Sequence, residues 1–405
     1  MLKQLILQNF FSFKDRTTIT LNSDINILLG INGSGKTSFL NAFHLLYEGV
    51  VGKGFEALFQ EQWGGYEQVV NVNKKRAAYI ELTYVFDAEA LRMNDPSSPF
   101  ETDVYYCISI HPSGATGYFI NEKLYVYHQN EQVVYLDYNN GSGFHHNWNP
   151  KPPKAKASHP LKLTIPYEAE FSGHELVLRQ IRISHAPLHA VYKAIDNIAL
   201  YNYFDTGSAS ELRRPSEFSS MTRLKKSGEN MAQLLNYLKN NRTLAYDRIE
   251  KELTKINPFY KSIEFSNFSS QLYLSLRETN LDKTIGALHI SDGTLRYLLL
   301  MSILYNPDRG YFIGLDEPEN SLHPDMIKSI CDMIKSAKAG SQFVVASHSP
   351  LLLNQFDLED VLIFEKDEEN NTIVKRVEES DFPDWEGDFL PGQMWMRGQI
   401  GGKRW

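Results

Sequence analysis

The chain has 405 residues, enough for two or three domains and a substantial buried core. Its 42% hydrophobic and 22% charged residues are those of a globular protein, and a net charge of −8 excludes a general nucleic-acid coat. Only two cysteines are present, Cys107 and Cys331, far apart in sequence; a disulfide framework or zinc site is excluded, and buried thiols in a reducing compartment are expected.

The N-terminus alternates Leu2, Leu5 and Leu7 with Lys3, Gln4 and Gln8, the pattern of a strand rather than a signal peptide. Residues 9–13, Asn-Phe-Phe-Ser-Phe, mark a bend after it. The apolar run Ile25–Leu29 reads as a buried strand, and residues 38–46 after it have helical spacing. Between them residues 30–37 spell Gly-Ile-Asn-Gly-Ser-Gly-Lys-Thr, a complete G-x-x-x-x-G-K-T phosphate loop in the strand–loop–helix context it requires. In such a loop the backbone around Gly30, Asn32, Gly33, Ser34, Gly35 and Ser38 turns N–H groups inward at a helix N-terminus, where the dipole favours anions. Lys36 is expected to reach the terminal phosphates and the Thr37 hydroxyl to bind Mg²⁺, so the expected ligand is a nucleoside triphosphate.

Residues 51–76, rich in Gly and Gln, read as a loop. From 77 to 136, β-branched and aromatic runs separated by short turns predict an antiparallel sheet. Residues 139–159 read as a loop or small insertion: His145 and His146 are loop polarity, and Lys151, Lys154 and Lys156 near Trp148 are solvated charge, with a phosphate-backbone contact as the alternative. Helical patterns fill 187–255, including the stripe Met231, Leu234, Leu235 and Leu238. Strands return at 262–268 and 271–276, and the last third alternates helix and strand: 293–305, 311–315, 323–337 and 342–346, then a β-rich stretch to about Val377. No internal repeat or heptad array appears. The longest apolar run, near 297–305, is about half of the ~20 residues of a membrane span, so a cytoplasmic protein with no membrane contact is expected.

Three later motifs narrow the phosphate loop. Residues 311–317, Tyr-Phe-Ile-Gly-Leu-Asp-Glu, form a buried strand ending in two acids; Asp316 is placed to support Mg²⁺ and Glu317 to polarise the attacking water. Upstream, Ser291-Asp292-Gly293-Thr294 opens an apolar helix; alone it reads as an ordinary capped helix. Downstream, the strand 342–347 ends at Ser347-His348.

In this order the motifs resemble the ABC-type heads of the RecF/SMC class, and more closely the bacterial AAA family ATPases with ABC-like heads found in anti-phage defence operons. The residues that carry the likeness are the 9–13 opening, Ser-Asp-Gly-Thr at 291–294, Leu-Asp-Glu-Pro-Glu-Asn-Ser-Leu-His-Pro at 315–324 and Ala-Ser-His-Ser-Pro at 346–350. The tail residues Trp395, Gly398, Ile400, Gly401 and Gly402 resemble a C-terminal signature of part of that group. The likeness reaches both ends of the chain; residues 88–180 fit only as lobe-I strands and an insertion. Two departures stand out: Ser-Asp-Gly-Thr replaces the transporter-type Ser-Gly-Gly-Gln, and no Q-loop glutamine is evident, Asn202 being the stand-in.

The resemblance implies an α/β fold, a P-loop NTPase ABC-type head. Lobe I with its antiparallel β subdomain would span 1–200, a helical insertion 201–260, and a RecA-like lobe II 261–405. It implies an ATPase whose two copies sandwich ATP and Mg²⁺, with Lys36, Thr37, Asp316, the base Glu317 and the switch His348 of one chain facing Ser291 and Gly293 of the other. Lys14 and Arg16 could also approach the nucleotide. Three uses of such a cycle remain open. The first is a defence sensor controlling a separately encoded effector, such as a nuclease or Toprim-like protein, in response to a phage component; too few residues follow His348 for a Toprim domain in cis. The others are a RecF-like DNA-binding repair ATPase and, more distantly, a transporter cassette.

Overall fold

The computed structural model describes residues 1–72, 79–146, 166–181, 186–202, 204–217, 221–378 and 390–401. Lys151, Lys154, Lys156, Trp148 and Gly402 lie outside them. In chain order the strands begin with β1 (Leu2–Gln8), β2 (Thr17–Thr20), β3 (Ile25–Leu29), β4 (Ile80–Phe86), β5 (Val104–Ser113) and β6 (Gly117–His128). They continue with β7 (Glu131–Asn139), β8 (Ser142–His146), β9 (Pro166–Glu170), β10 (Ile198–Tyr201), β11 (Ser216–Glu217) and β12 (Tyr260–Phe268). The last are β13 (Gln271–Glu278), β14 (Ile285–Gly286), β15 (Phe312–Asp316), β16 (Gln342–Ser347), β17 (Val361–Lys366) and β18 (Thr372–Arg376). The chain divides into two units: Met1–Ser23, Asn32–Ile198 and Phe364–Lys375 form one; Asp24–Ile31, Ala199–Ile363 and Arg376–Trp405 form the other.

The first unit is built on an antiparallel sheet in the order β2-β1-β4-β5-β6-β7-β8-β9. Residues alternate between buried and half-exposed along β5 and β6, as a sheet covered on one face requires. Helix Lys36–Val50 buries Phe39, Leu40, Phe43 and Leu46, and the Tyr84 hydroxyl donates to the Ala42 carbonyl at 2.6 Å. Several stretches differ from the sequence expectation; Ala88–Asn94, inside the run expected to be strands, is a helix. Residues 57–62 and 66–69 coil into helical turns instead of a loop, because Phe55, Leu58, Phe59 and Val69 are buried. Residues 142–146 form β8, which pairs with β7 and puts His145 in the interior, its Nδ1 2.9 Å from the Tyr138 hydroxyl. His145 is thus a core residue and not loop polarity.

In the second unit the strands run β10-β15-β16-β3-β17, with β15, β16, β3 and β17 paired in parallel; β18, which follows β17 in the order, counts almost wholly with the first unit. β3 and β16 are buried along their whole length, which explains their largely apolar sequences. Helix Asp292–Leu304 is buried on every side from Thr294 to Leu304, so it shows no amphipathic stripe. Helix Met231–Asn241 instead buries the Met231, Leu234, Leu235 and Leu238 stripe. A small antiparallel sheet, β11-β13-β12 with β14 beside β13, packs into the same core. Among the described residues no helix is long and apolar enough to cross a membrane.

Glu122 on β6 is buried on the covered face of the first unit's sheet. Its carboxylate accepts from the Tyr106 hydroxyl at 2.7 Å, from the Leu178 N–H at 2.9 Å and from the Val177 N–H. Burial outweighs these three donors and pushes its carboxyl up to about 7. The unfolded chain releases this proton from about pH 4.5, whereas the folded chain keeps it to about pH 7. Across that window the folded state binds more protons, so this residue's contribution to stability declines as pH rises. In urea titrations between pH 5 and 8, the midpoint of Glu122→Gln should gain on that of the wild type as pH rises. A difference that does not change with pH would overturn the assignment.

Candidate nucleotide site

Three segments of the second unit end together because their strands pair in parallel and in register. Leu29 of β3 lies opposite Ser347 of β16, and Asp316 of β15 lies opposite Ala346. The carboxyl ends of β3, β15 and β16 therefore present Gly30, Asp316-Glu317 and His348 at one end of the sheet, the place where open α/β sheets bind ligands. Glu317 has φ +47, a left-handed conformation that costs a non-glycine residue roughly 1–2 kcal/mol. Its N–H is held by the Ala346 carbonyl at 2.8 Å. The bend turns its carboxylate toward two donors: Asn320 Nδ2 reaches Oε2 at 2.7 Å, and His348 Nδ1 lies 2.9 Å from Oε1. Behind this pair the Ser347 hydroxyl donates to Glu319 and accepts from the Ser349 N–H at 3.0 Å. Burial pushes the Glu319 carboxyl above the usual carboxylate range, and its buried Oε2 has no partner among the described residues.

The phosphate loop leaves β3 at Gly30 and passes into the first unit after Ile31. Gly33 and Gly35 take left-handed φ values of 78° and 110°. Gly33 has open space where a Cβ would stand, whereas a Cβ on Gly35 would lie 2.2 Å from Thr372 Oγ1 and 2.9 Å from Ser12 Oγ. Those hydroxyls close the rear of the loop: Thr372 Oγ1 donates to the Ser34 carbonyl at 2.8 Å and lies 2.7 Å from Ser12 Oγ, which is 3.3 Å from Ser38 Oγ. The front suits a polyphosphate. Helix Lys36–Val50 has no side-chain cap and no acid in its first turn, Thr37 is exposed, and the buried Ser34 Oγ has no partner among the described residues. Asn32 is exposed, and Lys36 is buried at the helix start.

The Ser-Asp-Gly-Thr helix belongs wholly to the second unit. Ser291 is its N-cap, accepting from the Thr294 N–H at 3.3 Å, and Ser291 and Asp292 are exposed. A Cβ on Gly293 would stand 2.7 Å from the Ser321 carbonyl, so the helix start lies against the loop that follows the two acids. Arg296 ties them: Nη1 donates to the Asn320 carbonyl at 2.8 Å and Nη2 to the Phe204 carbonyl at 3.3 Å.

The structure thus aligns Gly30, Asp316, Glu317 and His348 at the strand ends of the second unit and puts Ser291 and Gly293 on a helix start of the same unit, while Asn32, Gly33, Ser34, Gly35, Lys36, Thr37 and Ser38 belong to the first. Lys14 pairs with Glu369 and Arg16 with Glu81. Asn202 is half-buried, with an Oδ1 that has no partner among the described residues. Sequence reasoning assigned no role to Ser12, Thr372, Asn320, Ser347 or Arg296. The acid-rich run at 316–320 was a visible signal for Asn320; nothing local marks Thr372, which acts on a loop more than 300 positions away. No group of three metal-binding side chains stands ready among the described residues.

A family model described as "AAA domain, putative AbiEii toxin, Type IV TA system" matches residues 25–354. Among curated proteins none matches. The fold is similar to the crystal structure of an Smc head bound to the C-winged helix domain of ScpA, with a TM-score of 0.57 and 16% identity over 94% of this chain and 99% of that one. It is also similar to the Smc head domain with an extended coiled coil bound to the C-terminal domain of ScpA, from Pyrococcus furiosus (TM-score 0.52, 15% identity, 94% and 97% covered). The architecture is that of a P-loop ATPase head, mixed α/β with an antiparallel and a parallel sheet.

Gly35→Ala meets two obstacles, a left-handed φ and the Thr372 hydroxyl, and it should weaken nucleotide binding by about tenfold or more, read by titration with a fluorescent ATP analogue. Thr372→Ala in the same chain should recover little, because the φ penalty stays. Wild-type affinity in Gly35→Ala would remove the loop from the nucleotide site.

Proposed function

Since this chain belongs to that AAA-domain family, we propose that it is an ATPase whose two copies close around ATP and separate on hydrolysis. The observation that carries the reading is the Glu317–His348 contact of 2.9 Å beside Asp316 at the end of a buried parallel strand. A half-buried acid held in a strained backbone and oriented by an amide and an imidazole is arranged for proton transfer rather than for stability.

Each residue has a defined task in this reading. Lys36 and the loop backbone neutralise and orient the terminal phosphates. Thr37 and Asp316 would hold Mg²⁺, which would supply charge neutralisation for the phosphates. Glu317 takes the proton of the water whose oxygen attacks the γ-phosphorus, with ADP as the leaving group. With an N–H on each ring nitrogen, His348 donates from Nδ1 to Glu317 and from Nε2 to the transferred phosphate. Ser291 and the N-terminus of helix Asp292–Leu304 supply the complementary contact from the second copy.

The family description, a putative AbiEii toxin of a type IV toxin–antitoxin system, supports a place in a toxin–antitoxin system; in our reading the cycle is a switch over a separately encoded effector, such as a nuclease or Toprim-like protein, in anti-phage defence. The ScpA-bound Smc heads support a protein partner as the recipient of the signal.

Glu317→Gln should still bind ATP and accumulate as an ATP-dependent dimer by light scattering, while turnover falls about a hundredfold or more. Undiminished hydrolysis would remove Glu317 as the base, and a chain that stays monomeric with ATP would sink the sandwich. Lys36→Ala should lose nucleotide binding altogether. A pull-down from the source cell with the Glu317→Gln trap should recover a small effector protein; recovery of DNA with recombination proteins instead would favour a repair ATPase, and copurification of a membrane permease a transporter.

A further inference from the structure

We propose that Arg213 is a positioning residue that fixes the Ser291–Gly293 helix start and neutralises Asp292, so that an anion can approach there. The proposal rests on the reading that this helix start meets the phosphate held by a second copy. Arg213 ends the short turn Glu211–Arg213, which Ser210 caps by accepting from the Leu212 N–H at 3.1 Å. The Arg213 side chain is 5% exposed. Its Nε donates to the Thr206 carbonyl at 2.9 Å and to that of Gly207 at 3.2 Å. Nη1 donates to the carbonyls of Ala287 at 2.8 Å, Leu288 at 3.2 Å and Ile290 at 2.7 Å, and Nη2 pairs with the Asp292 carboxylate.

One guanidinium therefore gathers three carbonyls from the four residues that precede Ser291, together with the carboxylate that follows it. A flexible lysine ammonium has no planar fork with which to do the same. Charge gives the arrangement its sense. A buried guanidinium needs a counter-charge, and Asp292 is the carboxylate that its fork reaches. The Asp292 side chain is itself 57% exposed in the first helical turn, beside the N–H groups that would receive a phosphate. Unpaired, it would repel that anion at a range where unit charges still interact strongly near a protein surface. Paired with Arg213, it acts as a neutral strut. This accounts for the tolerance of an acid in Ser-Asp-Gly-Thr where transporter cassettes carry glycine.

The test compares Arg213→Ala, Arg213→Lys, Asp292→Asn and the double variant Arg213→Ala/Asp292→Asn in the full chain. Two readouts are taken: ATP turnover with separate nucleotide affinity, and backbone hydrogen exchange over residues 287–295 without nucleotide. Arg213→Ala should speed exchange in that segment and lower turnover about tenfold or more, with nucleotide affinity within about twofold of wild type. Arg213→Lys should restore the charge yet leave exchange fast. The double variant should regain part of the turnover, because the uncompensated carboxylate has gone; a merely structural arginine predicts no such recovery. Wild-type exchange and turnover in Arg213→Ala, or a double variant no better than the single one, would overturn the proposal. If Arg213→Ala fails to fold, Asp292→Asn decides: faster exchange over 287–295 supports the strut and unchanged exchange overturns it. A wild-type chain that neither hydrolyses ATP nor dimerises with it would remove the proposed function, while exchange over 287–295 would still judge the strut.

Discussion

The parallel pairing of β3 with β16, Leu29 opposite Ser347, is the contact from which the candidate site follows. Both strands are buried throughout, so their backbone groups have no water to fall back on and the ladder must be complete. Because a parallel register is set by the ladder, fixing one pair fixes the ends. The loop after Leu29, the acids after Leu315 and the histidine after Ser347 then begin at one level. A slip of one residue would move every side chain to the opposite face and misplace all three. The apolar sequences of these strands thus serve as the ruler by which polar residues outside them are spaced.

At the end of that ruler, local stability is given up. Glu317 accepts a left-handed backbone, and Glu319 is buried with a raised carboxyl pKa. Each would be selected against in a purely structural segment. Around them the fold is conventional, and the burial of helix Asp292–Leu304 on all sides supplies a rigid frame. The arginines extend this logic, since Arg213 and Arg296 secure loops by donating to backbone carbonyls, a task that does not depend on the side chains of those loops.

Much of this was legible in the sequence because the informative residues are local. Gly30 to Thr37 is contiguous, β15 and β16 are short apolar runs ending in acids or Ser-His, and their order along the chain named the fold. The Met231 stripe was equally direct, its spacing following from helical geometry. The helical turns at 57–69 and strand β8 escaped notice, since short elements rich in polar residues take their shape from burial of a few anchors such as Phe59 and His145. Thr372, Ser12 and Arg213 escaped for another reason: their partners are set by tertiary contact, and a single hydroxyl or guanidinium carries no periodic signal.

The Ser12–Thr372 contact spans 360 positions, and it bears on the order in which the protein is made. A ribosome completes the phosphate-loop motif by residue 37, but the hydroxyl that closes its rear is not translated until residue 372, and the neighbours of β3 begin only at 342 and 361. Until then the loop's sequence exists apart from partners made more than 300 residues later. A nascent chain that has not yet reached residue 372 therefore carries the loop without the hydroxyl that closes its rear.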